Sequence, residues 1–343
     1  MGLNVWEVND NDWPLNGDDK EKFLFLLRYA ILAPSGHNTQ PWLFKLSGNT
    51  LELHADRTRC LPVVDPEDRE LVISCGCALY FLSTAARKFG CRTEIEEYPE
   101  SSSPDLLAKI RIFPSEPASN NELNMFSAIP KRHTNRQAFE KRRPPKEILN
   151  QLICVAEEEG AWLQIISEED KRKAIADLIA QGDRIQASNK HFRRELSSWV
   201  HTNRSRYSDG MPGYAFGIGD FASNLGPFIL RTFNWGNGQA AKDQQLALGS
   251  PVLAVLGSKT DTPTSWLDIG QALAKLLLHA TIEGISASFL NQPIETEGLR
   301  KQLQDFMSED GYPQIILRMG YGPEVKPTPR RGVDKVLIKN ENG

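Results

Sequence analysis

The stretch GCALYFLSTAARKFG (residues 76–90) recurs in outline as GQALAKLLLHATIEG (residues 270–284). Both copies begin and end with glycine, and the alanines and leucines between them follow the spacing of one helix face. Every match falls at one constant offset, with no gap. Small residues at matched places allow helices to approach closely. The repeat therefore predicts two related helices, one in each half of the chain.

Other elements around this repeat also correspond. Apolar residues of an early helix, at 23, 26, 27 and 30, match those of a later one, at 149, 152, 153 and 156. Alternating apolar residues around Gly48 and Asn49 predict a β-hairpin, and the apolar run Pro251–Gly257 predicts a buried strand. We therefore expect an α+β fold of two related halves, residues 1–125 and 126–343, packed as a pseudo-twofold dimer within one chain.

Capping residues and helix breakers predict where several helices begin and end. Asp18 or Asp19 is expected to begin the first helix, and Asp65-Pro66 the first copy of the repeated helix. Residues 114–130, rich in serine, proline and asparagine, are expected to form a connector. One long charged helix is predicted from about Glu168 to Trp199.

The composition is ordinary for a globular protein: 343 residues, 40% hydrophobic and 24% charged, with a net charge of -4. Nucleic-acid binding proteins usually show a basic excess, so no nucleic-acid partner is expected. No apolar run approaches the roughly 20 residues that cross a bilayer, and the acidic first residues do not resemble a signal peptide. An odd number of cysteines without metal-ligand spacing predicts buried thiols in the cytoplasm and no metal site.

A polar loop, APSGHNTQPW (residues 33–42), separates the first helix from the hairpin. Its two prolines and Gly36 prevent the helix from continuing. Gly36 also permits close approach of the backbone to a ligand. Such a loop can hold a planar polar ligand by hydrogen bonds to the edge of that ligand.

A basic cluster, RHTNR (residues 132–136), opens the second half, and Arg330-Arg331 lie near its end. Arginine makes charge-assisted and often bidentate bonds to phosphate, whereas Lys131, Arg142 and Arg143 are expected to be solvated surface. Only the first half keeps the polar loop, and only the second half has the basic cluster. If the halves pack as predicted, one composite site per chain uses both sets.

Residues 200–240 interrupt the regular pattern with seven or more glycines and prolines among aromatic residues. A segment of this length and composition indicates an active-site lid. The alternative is a disordered loop, which the aromatic residues make less probable. Asp209, Tyr207 and Tyr214 are candidates to line the lid.

The two motifs together resemble the nitroreductase family of flavoproteins. The cluster RHTNR is similar to the basic phosphate-binding motif of that family, and residues 34–42 are similar to its Pro-Ser-x-x-Asn-x-Gln-Pro-Trp loop. In that family the two motifs come from different subunits of a homodimer. Their presence in one chain resembles the fused, double-domain branch called Acg-like. The resemblance extends over nearly the whole chain and implies a nitroreductase-like fold with one FMN between the halves.

The resemblance implies specific roles for residues of both motifs. The phosphate is expected at Arg132, His133, Thr134, Arg136 and Arg330, with Arg331 as a second candidate from the tail. The flavin ring and ribityl chain are expected near Pro34, Ser35, Gly36 and Asn38. Gln40 either joins them or, with Pro41 and Trp42, shapes the exit into the strand. Backbone at Ser288, Phe289, Leu290 and Asn291 is expected near flavin N5, where an N–H group stabilises developing charge.

These expectations define a function and its rivals. The leading hypothesis is ping-pong hydride transfer from NAD(P)H, bound transiently, through FMN to a small nitroaromatic or quinone-like acceptor. No catalytic side chain is required, because a flavin carries out the hydride chemistry. One chain suffices for the site, although a higher oligomer is possible. The alternatives are a flavin-sequestering protein whose lid prevents turnover and, less favoured, a flavin-free interaction protein.

Overall fold

The computed structural model describes residues 5–339 as a mixed helical and sheet protein. Residues 1–4 and 340–343, which belong to the two predicted halves, lie outside the described residues. Within the described part of the chain, no helix combines the length and apolarity needed to span a membrane.

Two antiparallel four-stranded sheets form the β-structure of the two halves. The first sheet consists of β1 (Trp42–Ser47), β2 (Thr50–Ala55), β3 (Cys91–Glu97) and β4 (Leu106–Pro114). The second consists of β5 (Trp162–Ile165), β8 (Val252–Ser258), β9 (Ser286–Phe289) and β10 (Tyr312–Gly320). Two short parallel strands, β6 (Val200–His201) and β7 (Met211–Pro212), lie between β5 and β8 in the sequence.

The two main sheets have the same strand order. The first runs β1-β2-β4-β3 and the second β5-β8-β10-β9, so each is 1-2-4-3 when its own strands are counted along the chain. Unrelated sheets of four strands have many possible orders, so the identical order supports the internal duplication. The α+β fold is confirmed, whereas the boundary between residues 125 and 126 stays a prediction.

Eleven helices are present in the described residues. Their bounds are α1 Asp19–Ala30, α2 Arg69–Lys88, α3 Asn120–Ala128, α4 Lys146–Glu157, α5 Glu169–Ser188, α6 Lys190–Trp199, α7 Asp220–Ser223, α8 Gly226–Thr232, α9 Gly236–Gly249, α10 Pro263–Ile282 and α11 Leu299–Phe306. Asp18 caps α1, as predicted, through a reciprocal capping box with Glu21, and the predicted hairpin is β1–β2.

Three boundaries differ from the sequence-based expectation. Helix α2 begins at Arg69, because Asp68 has a left-handed φ of 56° and Asp65 caps the first turn from outside by accepting from the Leu71 N–H (2.9 Å). The predicted helix 168–199 is two helices, since the extended backbone of Asn189 ends one and the Asn189 side chain caps the next. The expected connector 114–130 contains α3, which Ser119 caps.

The repeated helices α2 and α10 pack directly against each other at their first glycines. A Cβ atom at Gly76 would lie 2.2 Å from the Leu267 carbonyl oxygen, and one at Gly270 would lie 2.2 Å from the Ile73 carbonyl oxygen. Each glycine therefore removes the side chain that would separate the two backbones. The Cys77 thiol also donates to the Gly270 carbonyl (3.1 Å). The largest hydrophobic core of the molecule includes residues of both helices and both sheets.

We predict that Gly76→Ala destabilises the protein by roughly 1–3 kcal/mol, because overpacking forces the helix backbones apart. Gly238→Ala is the matched control, since Gly238 lies in α9 and a Cβ there meets nothing within 4 Å. Alanine is the better helix former by up to about 1 kcal/mol, so the control is expected to be neutral or stabilising. Urea unfolding measures both. Equal stability of the two variants would contradict the close packing.

Candidate functional site

The loop at 33–42 is held in an unusual backbone conformation by its own side chains. His37, Asn38 and Gln40 have positive φ angles of 48°, 57° and 54°, a region that non-glycine residues adopt at a cost. The Gln40 N–H donates to the Ser35 hydroxyl (2.9 Å), and the Gly36 N–H donates to the Ser74 hydroxyl on α2 (3.3 Å). These bonds fix the loop before any ligand is present.

The two tail arginines bind this loop from the other half of the sequence. Arg330 donates to the Asn38 side-chain oxygen (2.7 Å) and to the Leu32 carbonyl (3.3 Å). The Arg331 backbone N–H donates to the Gln40 side chain (2.7 Å), and its guanidinium donates to the Gln40 carbonyl (3.0 Å) and contacts Asp56 (3.4 Å). The loop and the tail therefore meet, as the composite-site hypothesis requires.

The basic cluster runs beside the edge strand β9. Thr134 forms a single parallel bridge with Ala287, whose carbonyl accepts from the Asn135 N–H (2.9 Å). On the other side, Arg318 in β10 donates to the carbonyl oxygens of Asn135 (3.1 Å) and Gln137 (3.0 Å). These contacts fix the backbone of the cluster, so its side chains extend from a rigid strand-like segment.

The arginines gathered here are buried without enough carboxylates to balance them. Burial lowers the pKa of Arg132 and of Arg136 to about 10, and burial with the nearby Arg132 lowers the pKa of Arg330 well below its ordinary value. The Nε atoms of Arg132, Arg318 and Arg330 are buried and have no hydrogen-bond partner within residues 5–339. Unpaired buried cations are costly, so the cluster is suited to an anion.

Two histidines complete the polar surroundings. Burial, with the neighbouring Arg136, lowers the pKa of His37 to about 4, and its Nε2 has no hydrogen-bond partner in the described chain. Burial, with Arg132 and Arg330, lowers the pKa of His133 to about 4. The His133 ring packs edge-on against Trp6, with centroids 4.7 Å apart, and the Arg330 guanidinium lies 4.8 Å from the Trp6 ring centroid. Both histidines are therefore neutral near pH 7.

The predicted lid is docked on the polar loop. The Gly210 N–H donates to the Asn38 carbonyl (3.1 Å), and the Asn38 side chain donates to the Gly210 carbonyl (2.8 Å). Gln40 donates to the Ser208 carbonyl (2.9 Å). Asp209 accepts from Arg59 (2.7 Å), which also donates to the Thr39 carbonyl (3.0 Å). Residues 208–210 therefore cover the loop through paired backbone and side-chain contacts.

The lid also covers the basic cluster and the tail. The Arg136 guanidinium lies 5.0 Å from the Phe216 ring centroid and donates to the Met211 sulfur (3.5 Å). The Tyr214 hydroxyl donates to the Pro327 carbonyl (2.9 Å). Short strands and helices replace the alternative of a disordered loop, and β6 to α8 lie within residues 200–240. Tyr207 stacks on His201 with centroids 4.7 Å apart, but most of its surface is exposed.

The end of β9 and the segment that follows it, residues 288–291, lie near the same loop. Ser288 is buried and pairs with Arg318 in the sheet register. The Leu290 N–H donates to the Ile316 carbonyl (3.0 Å). The Asn291 side chain donates to Glu70 (3.1 Å), whose other oxygen lies 3.6 Å from the position of a Cβ atom at Gly36. The buried Glu70 carboxyl therefore bonds Asn291 and lies beside Gly36 of the loop.

A cavity of about 570 Å³ borders the basic cluster. The residues around it include Arg132, His133, Thr134, Phe289 and Thr281. Its size lies within the range of roughly 300–1,000 Å³ that is usual for ligand pockets. No residue of the loop 33–42 lines this cavity.

The structure brings most predicted site residues together. Asn38, Gln40, Arg330 and Arg331 contact one another directly, and Arg132 and His133 lie beside Arg330. Ser35 and Gly36 make hydrogen bonds that support the loop, and Phe289 lines the cavity. Gln40 is fully buried in bonds to Arg331 and Ser208. Whether each residue binds a cofactor stays a prediction.

The sequence reasoning missed three contributors. Arg318 interrupts the apolar strand β10, a signal that could have identified it, because a charge in a buried strand needs a partner. Glu70 and Trp6 gave no such signal. Their roles depend on contacts with Asn291 and Arg330, which are distant in sequence.

Comparison with known proteins identifies relatives of nearly full length. "Putative NAD(P)H nitroreductase Rv3131" of Mycobacterium tuberculosis is 29% identical over 326 residues, which cover 93% of this chain and 92% of the relative. "Putative NAD(P)H nitroreductase acg" of the same organism is 26% identical over 323 residues, covering 91% and 93%. The resemblance to the Acg-like nitroreductases is confirmed. No family model matches the chain.

A solved structure is also similar in part. The FMN- and NADPH-dependent nitroreductase NfnB of a Sphingopyxis species is 17% identical, with a TM-score of 0.42 over 63% of this chain and 98% of that one.

We predict that Asp209→Asn speeds amide hydrogen exchange in residues 208–216, because it removes the ion pair with Arg59. Arg59 and His201 hold the pKa of Asp209 down to about 2. Because the Asp209 pKa is lowered, the ionised Asp209 stabilises the docked segment at pH values above the ordinary carboxyl pKa near 4. This stabilisation is lost as the pH falls toward 2.

The matched control is Asp220→Asn, since Asp220 is an exposed lid aspartate that bonds Asn203. Exchange in residues 208–216 is expected to remain at the native rate in that variant. Equal protection in the native protein and in Asp209→Asn would contradict a lid held by the Arg59 contact.

Proposed function

We propose that this chain is an FMN-dependent oxidoreductase that uses NAD(P)H and has one site between its two halves. The single observation that carries the proposal is the cluster of buried arginines with unpaired Nε atoms beside the polar loop. The names of the full-length relatives support the same class of activity. A protein without the site would have no reason to bury these charges together.

The residues present fit a phosphorylated flavin. Arg132 makes no side-chain hydrogen bond within residues 5–339, and the Nε of Arg330 is also unpaired. A phosphate dianion offers acceptors for both and restores the charge balance that burial disturbs. Thr134 adds a hydroxyl on the same segment. The Arg331 guanidinium donates to Gln40, Asp56 and Lys335. We therefore propose that Arg331 supports the loop and does not bind the phosphate.

The polar loop supplies the surface for the flavin ring. Its backbone conformation is fixed by Ser35, Ser74 and the tail, so it requires no reordering on binding. His37, neutral at pH 7, presents a ring nitrogen that has no partner in the described chain. Bound FMN supplies hydride chemistry. The chain orients the reactants and excludes water from the site.

Several finer assignments belong to this proposal. The acceptor is a small nitroaromatic or quinone-like molecule, NAD(P)H binds transiently, and one chain provides a complete site. Backbone at 288–291 is proposed to face the flavin. The cytoplasmic location expected from the cysteines stays a prediction.

We predict that Arg132→Ala with Arg330→Ala raises the Kd for FMN by about 100-fold or more. Each charge-assisted hydrogen bond contributes about 1.5–3 kcal/mol, and 1.4 kcal/mol corresponds to a tenfold change. Fluorescence quenching of added FMN measures the Kd, and far-UV circular dichroism checks the fold. Arg142→Ala is the control, because Arg142 is exposed and packs on Tyr321. Equal effects of the two changes would remove the phosphate assignment.

A second candidate function, flavin sequestration with little turnover, is favoured by the docked lid. Bonds from residues 208–210 to Asn38, Gln40 and Arg59 close the face of the loop. Anaerobic mixing of the FMN-loaded protein with NADPH separates the two candidates. Bleaching of the flavin absorbance within seconds, followed by turnover on menadione, supports the oxidoreductase. A flavin that stays oxidised in the native protein but is reduced in Asp209→Asn supports sequestration.

A further inference from the structure

A group of buried carboxyls lies directly behind the polar loop. Asp65, Glu70 and Glu295 influence one another electrostatically, and Arg69 is the guanidinium that interacts with all three. Arg69 also donates hydrogen bonds to the Gln314 carbonyl (2.8 Å) and to the Gln314 side-chain oxygen (3.0 Å). One cation is therefore shared by three carboxyls in a buried region.

Glu70 bonds one of the two protein segments that the proposed function brings to the flavin and lies beside the other. Its Oε1 accepts from Asn291 Nδ2 (3.1 Å) and from Arg69 (3.1 Å). Its Oε2 accepts no hydrogen bond from residues 5–339, and it lies 3.6 Å from the position of a Cβ atom at Gly36. One oxygen of Glu70 is therefore anchored, while the other faces the loop and is open.

The surrounding charges favour a proton on this group. Burial raises the pKa of Glu70 to about 7, with Arg69 opposing the rise and Asp65 assisting it. Burial and the neighbouring Glu70 raise the pKa of Glu295 well above its ordinary value. The amide of Gln186 donates a hydrogen bond to Glu295 (2.7 Å) but carries no charge that could balance it. Both carboxyls are therefore held toward their protonated forms.

The remaining titratable groups near the pair do not supply a second cation. The pKa of Asp65 is itself raised by burial, and Asp65 accepts from the Leu71 N–H. Glu195 on α6 interacts with Asp65, and its carboxylate accepts hydrogen bonds from the N–H groups of Val63 (2.9 Å) and Val64 (3.0 Å). Protonation of Glu70 and Glu295 is therefore the means by which this region reduces its negative charge.

We propose that Glu70 stores one proton beside the site and delivers it from Oε2 to the acceptor. The inference rests on the proposed function, because it assumes an acceptor that is reduced at this loop. Reduction of a quinone to a hydroquinone consumes two electrons and two protons. The hydride of NAD(P)H supplies two electrons and one proton, so one more proton is needed. Glu70 gives that proton, its O–H bond breaks as the acceptor O–H forms, and solvent returns a proton to the carboxylate.

A comparison of two acceptors tests the proposal. Menadione needs protons when it is reduced, whereas ferricyanide takes up electrons alone. General acid catalysis contributes typically 10²–10⁴-fold, so we expect Glu70→Gln to lower the ratio of menadione to ferricyanide turnover by about 100-fold. Glu97→Gln is the matched control, because Glu97 is a half-buried carboxyl in β3 with an amide partner, Gln271 (3.2 Å). Rates are compared per bound flavin in FMN-loaded protein.

The outcomes separate a proton-delivery role from a structural one. A lower ratio in Glu70→Gln, with the native ratio in Glu97→Gln, supports the proposal. An equal loss with both acceptors means that Glu70 only positions Asn291 and the loop, and this overturns the proposal. Absence of FMN binding in the native protein removes the proposed function, and the protonation of Glu70 is then tested by the second measurement below.

The second measurement does not use activity. A carboxyl whose pKa is higher in the folded than in the unfolded chain stabilises the fold at low pH, and this stability is lost as the pH rises from about 4.5 through 7. The melting temperature of the native protein is therefore expected to fall more between pH 5 and about 8 than that of Glu70→Gln. Identical pH dependence in the two proteins would show that Glu70 stores no proton.

Discussion

The direct contact between α2 and α10 is the constraint on which the rest of the structure depends. At Gly76 and Gly270 the backbone of each helix occupies the space where the other would carry a side chain. Because a packed interior transmits displacements, this contact fixes how the two halves lie relative to each other. The polar loop belongs to one half, and the basic cluster belongs to the other. Their distance is therefore set at the glycine pair, which lies two residues from Ser74, the residue of α2 that bonds the loop.

The charges of the site are distributed asymmetrically around the loop. Arginines of the second half and the tail lie on one side of it, and their neighbours are mainly carbonyl oxygens such as those of Asn135 and Leu32. Carboxyls lie on the other side, around Glu70. A carbonyl oxygen satisfies the hydrogen bond of a guanidinium but leaves its charge uncompensated. Arg69 is the guanidinium that interacts with these carboxyls, so in the proposed site the loop lies between an anion-binding surface and a proton-storing one.

Much of the fold could be predicted from the sequence, because the signals were periodic and local. The duplicated helix, the hairpin at Gly48 and the cap at Asp18 depend on residues within a few positions of one another. The helix boundaries near Asp65 and Asn189 differ from the prediction, and side-chain capping is involved in both cases. Asp65 caps α2 from six residues away through the Leu71 N–H, and Asn189 offers a cap in the middle of a strongly helical pattern. Side-chain hydrogen bonds decided both, and their geometry is not visible in hydrophobic periodicity.

The candidate site was predictable where its residues carry a charge motif and unpredictable where their role depends on distant partners. Arg132, Arg136 and Arg330 were identified from their sequence. Glu70 follows a turn in the first half, and only the fold brings it to Asn291, more than two hundred positions later. The same applies to Gln40, whose environment is completed by Arg331 and the lid. Residues 208–210 bond Asn38 and Gln40, two loop residues with a left-handed backbone. In the proposed function, opening of this segment therefore also releases bonds that stabilise the loop, which couples access to the site with the shape of the loop.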